Sequence, residues 1–89
     1  MLSQFNGKTV HELAMLAQAK VPHAFDALAE KINSLQTRYV SFFVWNKADA
    51  EEVMQWVLIR LNNELTEQKY RGTTFETWLF IICRSEARN

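Results

Sequence analysis

Apolar residues recur along this chain every three or four positions in four blocks separated by polar clusters. That spacing is the repeat of an α-helix buried along one side. The first block follows Thr9, which stands three residues before Glu12 as in a capping box. Val10, Leu13, Ala14 and Ala17 then share one stripe, and Val21-Pro22 predicts its end, because the residue before proline is pushed out of helical geometry. A second helix is expected from Pro22, a residue suited to a first helical position, to about Val44. Its stripe is Phe25, Leu28, Ile32, Leu35, Tyr39 and Phe42, the clearest periodicity in the chain and a candidate core face. After the polar break Asn46-Lys47-Ala48, Asp49 is expected to cap a third helix, with Glu52 completing a second capping box. Val53, Val57, Leu61 and Leu65 form its stripe, widened by Met54, Leu58 and Ile59, and Trp56 falls off the centre. A polar loop over 66–74, containing Arg71-Gly72, precedes a fourth helix starting near Thr73 or Thr74, with Thr73 and Glu76 again at capping spacing. Phe75, Trp78, Leu79 and Ile82 are its inner stripe. Phe80 and Ile81 point elsewhere, so this helix is apolar on more than one side.

Composition agrees with an all-α fold. Of 89 residues, 48% are hydrophobic and 12% aromatic, with two glycines and one proline; this is too apolar for a disordered chain and too poor in turn residues for a β-sandwich. A single compact bundle of about four helices over residues 1–89 is expected. The chain stops at Asn89 without glycine, proline or polar loop, as if cut through a helix, so the expectation is a fragment of a longer protein. Formal net charge is zero, which removes the bulk basic signal of many nucleic-acid binders. Charge is nevertheless unevenly placed. Asp49, Glu51, Glu52, Glu64 and Glu67 accompany only Arg60 over 49–67, whereas Lys69, Arg71, Arg84 and Arg88 outnumber Glu76 and Glu86 over 69–89. Ordinary solvated helix faces account for this equally well.

Chemistry that the chain lacks narrows the function further. Two glycines build no phosphate-cradling loop, and His11 and His23 have no partners at metal-ligand spacing. Capping explains Asp49 and Glu52 without an acid–base pair. Cys83, the single cysteine, lies in the apolar run 78–83 and reads as a buried thiol in a reduced, cytoplasmic protein. There is no signal-peptide start and no run near the roughly 20 apolar residues of a membrane span. A binding module without catalysis, metal or cofactor is expected.

Two segments carry a more specific pattern: Asp49-Ala50-Glu51-Glu52-Val53-Met54-Gln55, and Tyr70-Arg71-Gly72 followed by Phe75, Trp78-Leu79, Ile82-Cys83 and Arg84. With Ala24-Phe25-Asp26-Ala27-Leu28 upstream, their order and spacing resemble the second conserved region of bacterial RNA polymerase sigma factors, in the extracytoplasmic-function group, over about residues 24–89. Two positions depart from the family pattern: Trp56 stands where a glutamate is usual, and Ser85 where an asparagine is usual.

The resemblance implies a transcription initiation domain that docks on the largest subunit of core RNA polymerase and recognises and melts the minus-ten promoter element. Polymerase contact would fall to Asp49, Glu52, Gln55, Trp56 and Arg60 on the third helix, on the face opposite Val57 and Leu61. Trp56 is either an exposed anchor there or packs under the first helix. The non-template strand would meet Lys69, Tyr70, Arg71, Phe80, Arg84, Ser85, Arg88 and Asn89, where aromatic rings interleave with cations as base stacking and phosphate contact require. Tyr70 and Phe80 are either platforms for bases or core residues, whereas Phe75 and Trp78 are expected in the core. Ser85 and Asn89 are the candidates for base edges. An anti-sigma factor is a further candidate partner; a membrane is not. A helical protein–protein or dimerisation module without DNA binding is the alternative.

Overall fold

A computed structural model describes residues 3–71 and 73–89. A 3-10 turn, Ser3–Phe5, precedes four helices: α1 (Val10–Gln18), α2 (Ala24–Ser41), α3 (Lys47–Thr66) and α4 (Phe75–Arg88). No strand occurs among the described residues. The all-α bundle expected from periodicity is the observed fold. α2 is the hub, packing on α1, α3 and α4, while α3 and α4 pair as a hairpin.

The core draws on every helix: Leu13 and Ala14 from α1; Leu28, Ile32 and Val40 from α2; Val57, Leu61 and Leu65 from α3; Phe75, Leu79, Ile82 and Cys83 from α4. Phe5 seals it from the N-terminal turn. On α2 the buried line keeps Leu28 and Ile32 of the expected stripe and departs from it at both ends. It follows Ala24, Leu28, Ile32, Gln36 and Val40, while Phe25, Leu35 and Tyr39 are half-buried and Phe42 is 63% exposed. Gln36 can lie in the core because its amide donates to the Met54 carbonyl at 2.7 Å, avoiding the cost of an unpaired buried polar group. Trp78 is half-buried rather than central, with its ring stacked on Tyr70.

The helix ends show where local chemistry overrides the expected boundaries. The Thr9 capping box forms in full, with Thr9 N–H donating to Glu12 at 2.7 Å and Glu12 N–H to Thr9 Oγ1 at 3.1 Å. The Thr9 backbone N–H first, and the Thr9 hydroxyl second, hold the exposed Glu12 carboxyl below its usual range. α1 then stops at Gln18, short of the expected Val21-Pro22. Lys20 turns left-handed (φ 64°), so that its N–H bonds Ala17 O and Val21 N–H bonds Leu16 O, the Schellman closure usually built on glycine. α3 ends alike: Gln68 (φ 62°) donates to Leu65 O and Lys69 N–H to Glu64 O. α2 begins at Ala24 rather than Pro22, after a left-handed His23. It ends at Ser41 rather than about Val44. α3 is capped by Asn46, whose side chain accepts from Asp49 N–H at 3.0 Å; Asp49 is therefore a first-turn residue and not the cap. There it still favours the positive end of the helix dipole. Thr74, not Thr73 with Glu76, caps α4. Gly72 of the expected loop lies outside the described residues. No helix among those described is long and apolar enough to cross a membrane.

This packing sets three expected outcomes. Phe75 is 1% exposed, so Phe75→Ala should lower the unfolding free energy in urea by roughly 3–5 kcal/mol. Lys20→Gly relieves about 1–2 kcal/mol of left-handed strain against roughly 0.5–1 kcal/mol of added chain entropy, and should raise the same quantity by about 0.5–1 kcal/mol. Burial pushes the Cys83 thiol up to about 12, so stability should fall above the ordinary thiol range, where only the unfolded chain ionises, until the native thiol ionises as well. Alkylation of Cys83 at pH 8 should accordingly track unfolding; rapid labelling of the native protein would contradict its burial.

Candidate nucleic-acid and polymerase interface

Helical geometry divides α3 into two halves. Val57, Leu61 and Leu65 face inward, and Ala50, Val53, Met54 and Leu58 are half-buried around them. Glu51, Glu52, Gln55, Trp56, Ile59, Asn62 and Asn63 are exposed. Within that outer half Trp56 is 55% and Ile59 50% exposed; Trp56 lies about a turn from Glu52 and next to Gln55, and Ile59 about a turn from Gln55 and Asn63. Trp56 is thus an exposed ring and not a residue buried under α1. Asp49 is exposed at the start of the helix.

Arg60 does not belong to that outer half. It sits on the α3–α4 seam, where Nε donates to Glu64 at 2.7 Å and Nη1 to Ser85 Oγ at 2.8 Å and to Glu86 at 3.1 Å. The bond to Glu64 leads in holding the guanidinium above its usual range, with partial burial opposing and Glu86 assisting. Its expected place opposite Val57 and Leu61 is therefore corrected: the side chain is engaged within the fold. Ser85 is engaged with it, so its hydroxyl is not a free reader of base edges in this arrangement. Asn89 is exposed at the C-cap of α4, its backbone N–H bonded to Glu86.

The loop before α4 is anchored from its middle. Tyr70 is 2% exposed, a core residue and not an open platform. Its ring stacks on Trp78 at 4.9 Å and meets Phe75 edge-on at 5.8 Å. Its hydroxyl lies 2.7 Å from His11 Nδ1, and burial, with the Glu76 charge second, raises its ionisation above the usual phenol range. The Gln18 side-chain amide grips its backbone, accepting from Tyr70 N–H at 2.9 Å and donating to Tyr70 O at 3.0 Å. Around this anchor Lys69 pairs with Glu67 at the surface and the Arg71 side chain donates to Gln68 O. Beside Tyr70 an open hollow is lined by His11, Thr73, Thr74, Phe75 and Glu76.

Arg84 and Arg88 belong to α4 on one line with Thr77 and Ile81, at spacings of three and four residues. Neither arginine makes an ion pair among the described residues. Phe80 is half-buried beside them and joins Tyr39, Phe42 and Phe43 in an aromatic cluster, with ring centroids 5.2, 6.3 and 5.6 Å away. Trp45, three residues past Phe42, is 96% exposed. Tyr70 and Phe80 therefore lie in separate environments. Sequence reasoning misses Gln18 and the surface role of Phe42 and Trp45. Phe42 sits on the α2 stripe and reads as core, and a glutamine in α1 carries no signal that its amide meets a backbone 52 residues away.

Comparison with known protein families, curated proteins and solved structures finds no match.

The Arg60 seam generates a direct contrast. Arg60→Ala leaves Glu64 and Glu86 on the seam without their shared cation, and should lower stability by roughly 1.5–3 kcal/mol, as loss of charged hydrogen bonds does. Arg84→Ala, on an exposed face, should stay within about 0.5 kcal/mol of wild type. Equal melting of the two variants would contradict the seam.

Proposed function

We propose that this chain is a sigma-type transcription initiation domain. In this reading the outer half of α3 docks on the largest subunit of core RNA polymerase, and the loop with α4 holds the unpaired non-template strand of a minus-ten element. The observation that carries the reading is the outer half of α3. An indole and an isoleucine stand exposed among Glu52, Gln55 and Asn63, on the helix whose start, 49–55, carries the resemblance to the family. A large aromatic anchor inside a polar surround is the usual composition of an interaction hot spot. Arg84 and Arg88 supply cations for phosphates, Arg71 adds one from the loop, and Thr73 supplies a polar contact at the hollow. Tyr70 serves here by shaping the loop, and Phe80 contributes its exposed edge. Arg60 and Ser85 brace the hairpin that carries both surfaces. An anti-sigma factor would compete for the same exposed faces.

A second reading, a helical interaction or dimerisation module, draws on one observation: Phe42 and Trp45 are exposed apolar surface to which the first reading assigns no contact. It expects concentration-dependent self-association, abolished by Phe42→Ser with Trp45→Ser, and no affinity for unpaired promoter strands.

The measurement that decides is pull-down of core polymerase together with binding of a minus-ten oligonucleotide in the holoenzyme. Trp56→Ala should weaken capture by about 30-fold, the scale of a 2 kcal/mol hot spot, and Gln55→Ala by less, with helical circular dichroism unchanged. Arg84→Ala and Arg88→Ala should weaken all strands alike and reduce the salt slope by roughly 0.7 for each phosphate no longer neutralised. Capture unaffected by both α3 variants would sink the docking assignment.

A further inference from the structure

α1 lies outside residues 24–89, the span that resembles the sigma region, yet it grips the loop ahead of α4. Gln18 is 7% exposed. Its amide forms a two-bond ring with the Tyr70 backbone, accepting from N–H at 2.9 Å and donating to the carbonyl at 3.0 Å. The same backbone geometry is met in a rung of a β-ladder, here supplied by a side chain. Two further bonds run between the same elements: Gln68 Nε2 donates to the Gln18 carbonyl at 2.6 Å, and the Tyr70 hydroxyl meets His11 Nδ1 at 2.7 Å. Both Gln18 and Gln68 lie at Schellman ends, so the last turn of α1 and the last turn of α3 abut through them.

We infer that Gln18 is a positioning residue for strand capture: it holds the loop around Tyr70 in the pose that presents Arg71 and Thr73 to an unpaired nucleic-acid strand. This rests on the reading of the loop and α4 as the strand-binding face. The physical case is specific. Tyr70 is buried, and Gln18 satisfies both its backbone N–H and its C=O. A shift of the loop by an ångström or two would break both bonds at once and leave two buried polar groups unpaired. The Tyr70 ring is meanwhile wedged between Trp78 and Phe75, so backbone and side chain are each held. A strand-binding loop prepared in this way loses little freedom on binding, and that saving appears as affinity. Arg71 follows Tyr70 directly, and Thr73 and Thr74 line the hollow beside its ring. The residue next to Arg71 is thus held by a helix whose sequence carries none of the motif.

The test uses Gln18→Met, which keeps size and removes both bonds, and Gln18→Glu, which keeps the acceptor for Tyr70 N–H but sets a carboxylate oxygen against the Tyr70 carbonyl. Three readouts are taken on the whole chain: amide exchange at Tyr70, capture of core polymerase, and opening of a promoter followed by permanganate reactivity of unpaired thymines. Both variants should retain a cooperative helical melt and wild-type capture through α3. Exchange at Tyr70 should rise about tenfold or more, and opening should fall about tenfold. A purely structural Gln18 would lower capture and opening together, in proportion to the unfolded fraction, and that outcome overturns the inference. Unchanged Tyr70 exchange, or raised exchange with wild-type opening, overturns it too while leaving the sigma reading intact. Failure of the wild-type chain to open any promoter in holoenzyme overturns both.

Discussion

Two left-handed residues decide whether this chain can close. Four helices with little loop between them must reverse direction within a few residues, and at Lys20 and Gln68 they do so without glycine. The strain at each is offset by a Schellman pair of backbone bonds, and the two turns are joined through the Gln18 carbonyl and the Gln68 amide. From that junction the rest follows. α1 lies against α2, α3 returns as α4, and Tyr70 is carried inward, where its ring completes the wall formed by Phe75 and Trp78. Relax either turn and the loop, the aromatic wall and the packing of α1 lose their common anchor.

Polar links join the elements of this small bundle in pairs. Gln36 ties α2 to α3, Gln18 ties α1 to the loop, and Arg60 ties α3 to α4. No buried side-chain nitrogen or oxygen among the described residues is left without a partner. Because these three links consume their polar groups internally, the outward chemistry falls to other residues: amides, carboxylates and Trp56 on α3, and Arg84 with Arg88 on α4. A net charge of zero thus hides two faces of opposite character, joined by the Arg60 seam.

Much of the fold is legible in the sequence because its signals are local. The Thr9–Glu12 capping box, the Val57–Leu61–Leu65 stripe and Phe75, Leu79 and Ile82 on α4 depend on spacing alone, and each is where spacing puts it, whereas Trp78 of that last stripe is only half-buried. What escapes such a reading is contributed by distant partners or by equivalent local choices. Asn46 and Asp49 are both good caps three residues apart, and only the extended backbone at Asn46 selects between them. The buried line of α2 follows steps of four, which drift around a helix of 3.6 residues per turn, so Val40 takes the inner place expected of Phe42. Arg60 reads as a surface cation until α4 folds back with Ser85 and Glu86 beside it. Tyr70 reads equally as a platform or a core ring, and its inward seat depends on distant partners, Trp78, His11 and a glutamine that carries no motif.

The three tryptophans occupy three different solvents. Trp45 is almost wholly in water, Trp56 is half immersed on α3, and Trp78 is half-buried against the Tyr70 ring. Each indole therefore reports a different event through its own emission: Trp45 the free surface at the α2–α3 junction, Trp56 whatever covers α3, and Trp78 the seating of the loop. Single-tryptophan versions of this chain, with phenylalanine at the other two positions, would make it a built-in optical gauge in which colour shift and quencher access separate loop movement from surface docking without any added label.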